Sequence, residues 1–303
     1  MTNEAMVRAT DVWRRFGSHD ALQGLNLAVP EGSAYALIGA NGAGKTTTIK
    51  VLLNLLLPSR GTATVMGVDS SRLTPDIFAQ IGYVSENQTL PSRMTVADYL
   101  DYLRPFYPSW DRALEDSIRT TLQLPAERKI GALSHGMRMK MALACALPYR
   151  PKLLVLDEPF SGLDPLAREE LMEGVLLQGG EVTLLIASQE LDEIESLTTH
   201  IGFMHAGRML LEESLGDLGG RLREVRVVLE PGTVVPERLP KEWLQPRAFG
   251  SVLTFVDTRY SEEDLGPRVR AVLGPVKQVD VQALPLNSLF KTLARAAREG
   301  ALQ

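Results

Sequence analysis

The sequence of 303 residues contains a single cysteine, so no disulfide can form within the chain. This residue, Cys145, lies in an apolar run with helical character, and we expect it in the core, where free cysteines are usually buried. The histidines lack the mutual spacing and the cysteine partners of a zinc site. They are His19, His135, His200 and His205. The sequence therefore contains neither a disulfide framework nor a zinc-site pattern.

Long hydrophobic runs are also missing. The longest, such as 51–57, is far shorter than the roughly 18 apolar residues that span a bilayer. The first residues lack the basic start and apolar stretch of a signal peptide. We therefore expect a cytoplasmic protein that stays outside the lipid, peripheral on the inner face of the cell membrane if it serves a membrane at all.

An excess of basic residues is likewise absent. The chain has 32 Lys and Arg against 37 Asp and Glu, a net charge of −5. Proteins that bind duplex nucleic acid usually carry a clear basic excess, so we expect no nucleic-acid partner. With 45% hydrophobic and 23% charged residues the composition is that of an ordinary globular protein.

Buried strands alternate with helices over the first two thirds of the chain. Apolar runs without polar alternation predict strands covered on both faces, as in a parallel sheet. These runs are 34–38, 153–156 and 182–187, and the helices predicted between them include 46–57 and 165–177. Alternating patterns at 7–13 and 22–29 predict edge strands, and 96–124 predicts helices broken near two prolines. The fold class expected is α/β with a mostly parallel core sheet, an antiparallel β edge and a helical subdomain at about 87–150.

Composition changes after Gly219 and Gly220. Strands are predicted at 224–229, 252–257 and 276–281, helices at 262–273 and 286–299, and a proline-rich stretch at 231–246. We therefore predict two domains, a large α/β domain over 1–220 and a small α+β domain over 221–303. The small domain has two open interpretations: a structural support for a dimer, or a regulatory ligand site.

A glycine-rich loop follows the first buried strand and opens a helix. It matches the phosphate-binding pattern G-x-x-x-x-G-K-[ST], in which glycines let backbone N–H groups surround phosphates. Lys45 supplies positive charge to the β- and γ-phosphates, and the Thr46 hydroxyl is placed to coordinate Mg²⁺. The nucleotide-binding residues predicted here are Gly39, Asn41, Gly42, Ala43, Gly44, Lys45, Thr46 and Thr47.

Two carboxylates end the second buried strand. Asp157 is placed to hold Mg²⁺ or its water, together with Thr46. Glu158 would point toward the γ-phosphate, where it could polarise an attacking water, so we predict it to be catalytic. Without the phosphate-binding loop, the same pair would be interpreted as a solvated turn.

Between these two elements lies Leu-Ser-His-Gly-Met at 133–137, and Ser-Gly-Leu-Asp follows at 161–164. With these motifs in this order, residues 6–220 resemble the ABC-type ATPases. The resemblance implies a phosphate-loop ATPase fold and a head-to-tail dimer that binds ATP and Mg²⁺. It also implies that Ser134, Gly136 and Asp164 contact the nucleotide across the dimer interface. Phe16 matches the aromatic on which the family stacks adenine; the alternative is a core phenylalanine.

The chain departs from the family pattern at four positions. His135 replaces a glycine and Met137 a glutamine of the signature. Glu86 stands where the family commonly has a glutamine near Mg²⁺. A carboxylate can still accept a hydrogen bond from metal-bound water, so we expect Glu86 to take part in the metal site. Gln189 replaces a histidine that contacts the γ-phosphate, so we predict that Gln189 takes part in catalysis and that hydrolysis is slow.

The tail and two aromatic segments, 83–86 and 106–110, resemble a mostly bacterial exporter group whose ATPases carry a C-terminal extension. The resemblance implies an ATP-hydrolysing subunit that drives a separate membrane permease, as a homodimer or with a paralogous ATPase, and that docks through residues 87–108. Two other interpretations remain open. One is an ABC protein acting on ribosomes or DNA, and the other is a regulator that binds ATP with little turnover.

Overall fold

A computed structural model describes residues 5–177, 182–189, 194–236 and 238–283, together with positions 288 and 292. The chain divides into two units, Met1–Glu212 and Glu213–Gln303. No helix among the described residues is long and apolar enough to cross a membrane.

Among the described residues, two sheets and most of the helices belong to the first unit. Its strands are β1 (Ala5–Phe16), β2 (His19–Pro30), β3 (Ala34–Ile38), β4 (Arg60–Val65), β5 (Val68–Asp69), β6 (Ile81–Ser85), β7 (Leu153–Asp157), β8 (Thr183–Ser188), β9 (His200–His205) and β10 (Arg208–Ser214). Its helices are α1 (Lys45–Leu52), α2 (Pro75–Phe78), α3 (Val96–Leu103), α4 (Arg112–Thr121), α5 (His135–Ala146) and α6 (Pro165–Leu176). The strands form an antiparallel sheet, β2-β1-β4-β5, and a six-stranded core sheet, β10-β9-β3-β8-β7-β6.

The core sheet brings the carboxyl ends of four parallel strands side by side. Ile38 pairs with Ser188, Ala187 with Asp157, and Asp157 with Ser85. Every residue of β7 and β8 is buried, as expected for parallel strands covered on both faces. Ligand sites of open α/β sheets lie at this edge, beyond the carboxyl ends of the strands. The predicted α/β fold with a mostly parallel core sheet, an antiparallel β edge and helices within 87–150 is confirmed.

Helix α1 is shorter than predicted. The apolar pattern and Pro58 indicated a helix over 46–57, whereas the structure has Lys45–Leu52. Asn54 adopts a left-handed conformation with φ of 55°, which ends the helix. The N–H groups of Leu55 and Leu56 donate back to the Lys50 carbonyl at 2.8 and 3.0 Å. Asparagine tolerates this conformation better than most residues, so the stop precedes the proline.

In its described residues, the second unit contains one sheet and two helices. These are α7 (Leu215–Arg221), β11 (Arg223–Leu229), β12 (Trp243–Phe249), β13 (Val252–Asp257), α8 (Glu262–Leu273) and β14 (Val276–Ala283). All strand pairs in the order β12-β13-β11-β14 are antiparallel. Leu265, Val269 and Leu273 lie four residues apart on one face of α8 and are buried in the core of this unit. The α+β class predicted for the tail is confirmed.

The structure places the division between the units eight residues before the predicted boundary at 220/221. Helix α7 belongs to the second unit because its last residue, Arg221, forms hydrogen bonds with other residues of that unit. The Arg221 guanidinium donates to the Glu213 carboxylate and, at 3.0 Å, to the Thr258 carbonyl. The Arg221 carbonyl accepts from the Tyr260 N–H at 2.9 Å.

Strand β12 lies where the sequence predicted a proline-rich stretch at 231–246. The strand tolerates Pro246 because β12 is an edge strand, and its register with β13 shifts between Leu244 and Arg247. Proline within a sheet is confined to edges and bulges, where no ladder hydrogen bond is lost. The helix predicted at 286–299 lies outside the described residues except for positions 288 and 292.

Candidate nucleotide-binding site

The glycine-rich loop connects β3 to α1 at the carboxyl edge of the core sheet. A Cβ on Gly39 would lie 2.5 Å from the Met204 carbonyl oxygen. Gly44 has φ of 105°, and a Cβ there would lie 2.8 Å from the Ala21 carbonyl oxygen. Both positions therefore require glycine, because backbone cannot give way as a flexible side chain can.

The middle of the loop is turned toward solvent. Asn41 and Gly42 are exposed, and Gly42 has φ of 79°. Ala43 is buried, and its N–H donates to the Ala40 carbonyl at 3.0 Å. Thr47, in the first turn of α1, is half-buried. The loop thus has a fixed, closed base and an accessible rim.

Lys45 is the buried cation of the site, with 5% of its side chain exposed. Its ammonium Nζ donates to the Gly39 carbonyl at 2.6 Å and lies 2.9 Å from Glu158 Oε1. A third, longer contact reaches the Ala40 carbonyl at 3.4 Å. Burying an ammonium group is costly unless it is paired and hydrogen-bonded, and these contacts supply both.

Thr46 and Asp157 meet beside the lysine. The Thr46 hydroxyl donates to Asp157 Oδ1 at 3.0 Å, across 111 residues of sequence. Burial raises the pKa of the Asp157 carboxyl, and the nearby charge of Glu158 adds to this, while the bond from Thr46 opposes it. Two hard oxygen donors therefore lie together at the end of β7.

Glu158 is held by backbone contacts in a strained conformation. Its φ is 52°, which is uncommon for any residue other than glycine and is found preferentially at functional sites. Its N–H donates to the Ala187 carbonyl at 2.9 Å. Its carboxylate accepts from the Gln189 backbone N–H at 3.3 Å. This contact is made by the Gln189 main chain, whereas the role predicted from the sequence was a contact of the Gln189 side chain with the γ-phosphate.

Glu86 lies on the other side of Asp157. Its N–H donates to the Asp157 carbonyl at 3.1 Å, which places it at the end of β6 beside the carboxylates. Gln88, two residues further along the chain, instead accepts from the Ser85 N–H at 3.4 Å through its side-chain oxygen. Of the two, Glu86 is the residue anchored directly to Asp157.

The motif at 133–137 forms the start of α5. Ser134 is exposed and caps the helix by accepting from the Met137 N–H at 3.3 Å. Gly136 is close to α6, since a Cβ there would lie 3.5 Å from Leu163 and 3.6 Å from Ala167. Asp164 in turn caps α6 by accepting from the Ala167 N–H at 2.9 Å.

These caps lie on one concave surface, with a volume of about 360 Å³, lined by α5 and the segment 162–170. His135, which the sequence marked only as a departure, bridges the two elements: its Nε2 lies 3.0 Å from the Ser161 carbonyl oxygen. No sequence pattern marks this bond, because the partner is a backbone atom 26 residues away.

Phe16 is not a core residue, because 44% of it is exposed at the end of β1. The Arg14 guanidinium lies 4.6 Å from the centre of its ring, a cation–π contact. Arg14 also donates to the Leu57 carbonyl at 2.8 Å, just beyond the end of α1. An exposed ring held from one side in this way is suited to stacking.

The fold and this cluster define a phosphate-loop nucleotide-binding domain. Lys45, Thr46, Asp157, Glu158 and Gln189 come together at the carboxyl ends of β3, β7 and β8. A glycine-rich loop with its lysine, a hydroxyl after the lysine and an aspartate at the end of a strand are the parts that phosphate-loop nucleotide-binding proteins share.

Comparisons with known proteins agree with this class. The family model for "ABC transporter" matches residues 22–161. A bacitracin transport ATP-binding protein from Bacillus licheniformis is 32% identical over 72% of this chain and 73% of the relative. A daunorubicin resistance ATP-binding protein from Streptomyces coeruleorubidus is 35% identical over 69% of this chain and 66% of the relative. A solved ATP-binding subunit of an ABC transporter has a TM-score of 0.64 at 27% identity, covering 70% of this chain and 91% of that one.

The chain therefore belongs to the ABC transporter family, as an ATP-binding subunit with ATPase activity.

Proposed function

We propose that this chain is the ATP-hydrolysing subunit of a bacterial exporter, bound to the inner face of the membrane through a separate permease. The observation that carries the proposal is the gathering of Lys45, Asp157 and Glu158 around a glycine-rich loop. The relatives named for bacitracin transport and daunorubicin resistance support a role in export. In such systems the permease contacts the cargo, so the specificity for the cargo resides in the permease.

ATP would occupy the rim of the phosphate-binding loop. Loop N–H groups and the start of α1 would surround the β- and γ-phosphates, where the helix dipole favours negative charge. Lys45 would exchange Glu158 for a phosphate oxygen, which replaces one negative partner by another. Adenine would stack on the exposed ring of Phe16.

Mg²⁺ fits the donor set beside the loop. Thr46 and Asp157 supply a hydroxyl and a carboxylate within 3.0 Å of each other, and Mg²⁺ prefers oxygen ligands. No cluster of three or more His, Cys, Asp or Glu side chains that could hold a metal occurs in the described part of the chain. This agrees with Mg²⁺ bound by one or two carboxylates and substrate phosphates. When bound, Mg²⁺ would neutralise charge on the phosphates, and Glu86 would accept from one of its waters.

Glu158 would act as the general base or water-orienting group. Once Lys45 binds phosphate, the Glu158 carboxylate is free to accept a proton from water. The Gln189 N–H then holds the carboxylate in place through the contact now seen at 3.3 Å. The Gln189 side chain would donate to the γ-phosphate without adding positive charge.

Two subunits would complete each ATP site. Ser134 and Gly136 lie at the exposed start of α5, which presents a hydroxyl and N–H groups suited to a γ-phosphate. Asp164 lies on the same concave surface. In a head-to-tail dimer, of identical or paralogous subunits, this surface would face the phosphate-binding loop of the partner.

The permease would dock on an exposed aromatic patch formed by Tyr102 and Phe106. These side chains are 56% and 62% exposed, and their ring centres lie 5.3 Å apart. Tyr99, within the segment predicted to dock, is half-buried, and its ring stacks on that of Tyr102 with 6.2 Å between the ring centres. Exposed aromatic clusters of this kind are typical of protein interfaces.

The proposal is tested by the steady-state ATPase rate as a function of protein concentration. A composite dimer site predicts a rate that rises with the square of concentration while monomers predominate. Glu158→Gln should lower turnover by at least about 10². A rate that is linear in concentration throughout, or a variant as active as the natural chain, contradicts the proposal.

Gln189→His should raise the turnover rate by about tenfold. A positive donor at this position would stabilise charge that develops on the phosphate, and one such donor is typically worth about 10²–10³ in rate. The gain is smaller here because glutamine already supplies a neutral donor. Turnover measured at saturating ATP checks this, and an unchanged or lower rate would show that Gln189 does not limit hydrolysis.

Phe106→Asp should release the permease while ATP binding is retained, because a charge in an apolar interface is costly to desolvate. The measurement is co-purification of the subunits with the permease from membranes, alongside ATP titration. Leu176→Asp is the matched control, since Leu176 is equally exposed at 62%. Retention of the permease by Phe106→Asp, or its loss in both variants, would count against this docking surface.

A further inference from the structure

The hydrogen bond between His135 and Ser161 connects two parts of the subunit that serve different ATP molecules. His135 Nε2 lies 3.0 Å from the Ser161 carbonyl oxygen. A carbonyl oxygen only accepts, so the ring nitrogen carries the proton and donates. The half-buried ring also lies near the next residue, since a Cβ built on Gly162 would be 3.8 Å from it.

The backbone N–H of Ser161 connects this residue to Glu158, which carries the catalytic carboxylate. The Ser161 N–H donates to the Glu158 carbonyl at 3.3 Å. Gly162 then turns the chain with φ of 67°, and Asp164 starts α6. Ser161 is therefore held by Glu158 through its N–H and by His135 through its carbonyl.

His135 stands between Ser134 and Gly136 in the sequence. Under the proposed function, on which this inference rests, those two residues contact the ATP held by the partner subunit. Glu158 acts on the ATP held by its own subunit. Two successive hydrogen bonds thus join the residue that acts at one ATP to the motif that contacts the other.

We infer that His135 is a positioning residue that couples the two ATP sites of the dimer through Ser161. When the partner's ATP engages the start of α5, a shift of this segment moves the Ser161 carbonyl and, with it, the turn that begins at Glu158. A glycine at position 135, as in the family pattern, has no side chain and cannot make this bond.

The test is the ATPase rate as a function of ATP concentration, at protein concentrations where the dimer is saturated. Coupling of two sites predicts a Hill coefficient above 1, with 2 as the limit. His135→Leu removes the donor and should lower the coefficient below that of the natural chain, toward 1, with a smaller change in maximal rate. His135→Gln should keep a coefficient above 1, because the glutamine amide can donate to the same carbonyl.

The matched control is His200→Leu. His200 is also half-buried, but it begins β9 and therefore lies at the amino end of the core sheet, away from the site. This variant should keep the cooperativity of the natural chain. ATP titration of each variant in the absence of Mg²⁺ measures its affinity for ATP. An affinity equal to that of the natural chain establishes that the fold and the phosphate-binding loop are intact.

Several results would overturn the inference. One is a Hill coefficient in His135→Leu equal to that of the natural chain, and another is His135→Gln behaving like His135→Leu. A natural chain that turns over ATP without cooperativity also overturns it, yet leaves the proposed function standing. A natural chain that binds ATP without dimer-dependent turnover contradicts the proposed function itself, and the inference falls with it.

Discussion

The buried charge of Lys45 is the constraint on which the site depends. An ammonium group with 5% exposure must have partners, and it finds them in the Gly39 carbonyl and the Glu158 carboxylate. Removing one partner of a buried ion pair typically costs about 3–5 kcal/mol, because the remaining charge is left uncompensated. The geometry of the loop and of the end of β7 is therefore linked through this one contact.

The contact between Lys45 and Glu158 also accounts for the strained backbone of Glu158. Glu158 reaches the lysine from a left-handed conformation that normally costs about 1–3 kcal/mol. The bonds from Glu158 N–H to Ala187 and from Gln189 N–H to the carboxylate keep it there. In the proposed function, ATP replaces Glu158 at Lys45. The base is then released for water only after phosphate has entered, so substrate binding prepares the catalytic group.

Much of this site follows from local sequence patterns, and the rest does not. The phosphate-binding loop, the strand before it and the strand ending at Asp157 were predictable because buried parallel strands are continuous apolar runs. Helix α1 was predicted too long, because the apolar pattern continues past Asn54, where the backbone stops the helix. Strand β12 was missed, because Pro246 argued against a strand and the bulge that tolerates it leaves no sequence pattern.

The contacts that matter most to function were beyond sequence reasoning. The Lys45–Glu158 pair joins residues more than a hundred positions apart, and only the register of β3, β8 and β7 brings them together. The backbone N–H of Gln189 makes the contact that orients Glu158. Every residue except proline has this N–H, so the identity of residue 189 does not predict the contact. His135 was visible as a departure from a pattern, but its partner is a carbonyl, which the sequence does not mark.

The most direct test of this account is the affinity of Glu158→Gln for ATP, measured by calorimetry without Mg²⁺ so that no hydrolysis occurs. If Glu158 competes with phosphate for Lys45, the variant should bind ATP about tenfold more tightly, or about 1.4 kcal/mol. Glu31→Gln, which alters an exposed carboxylate, should leave the affinity unchanged. Unchanged or weaker binding by Glu158→Gln would contradict the claim that the Lys45–Glu158 pair gives way to ATP.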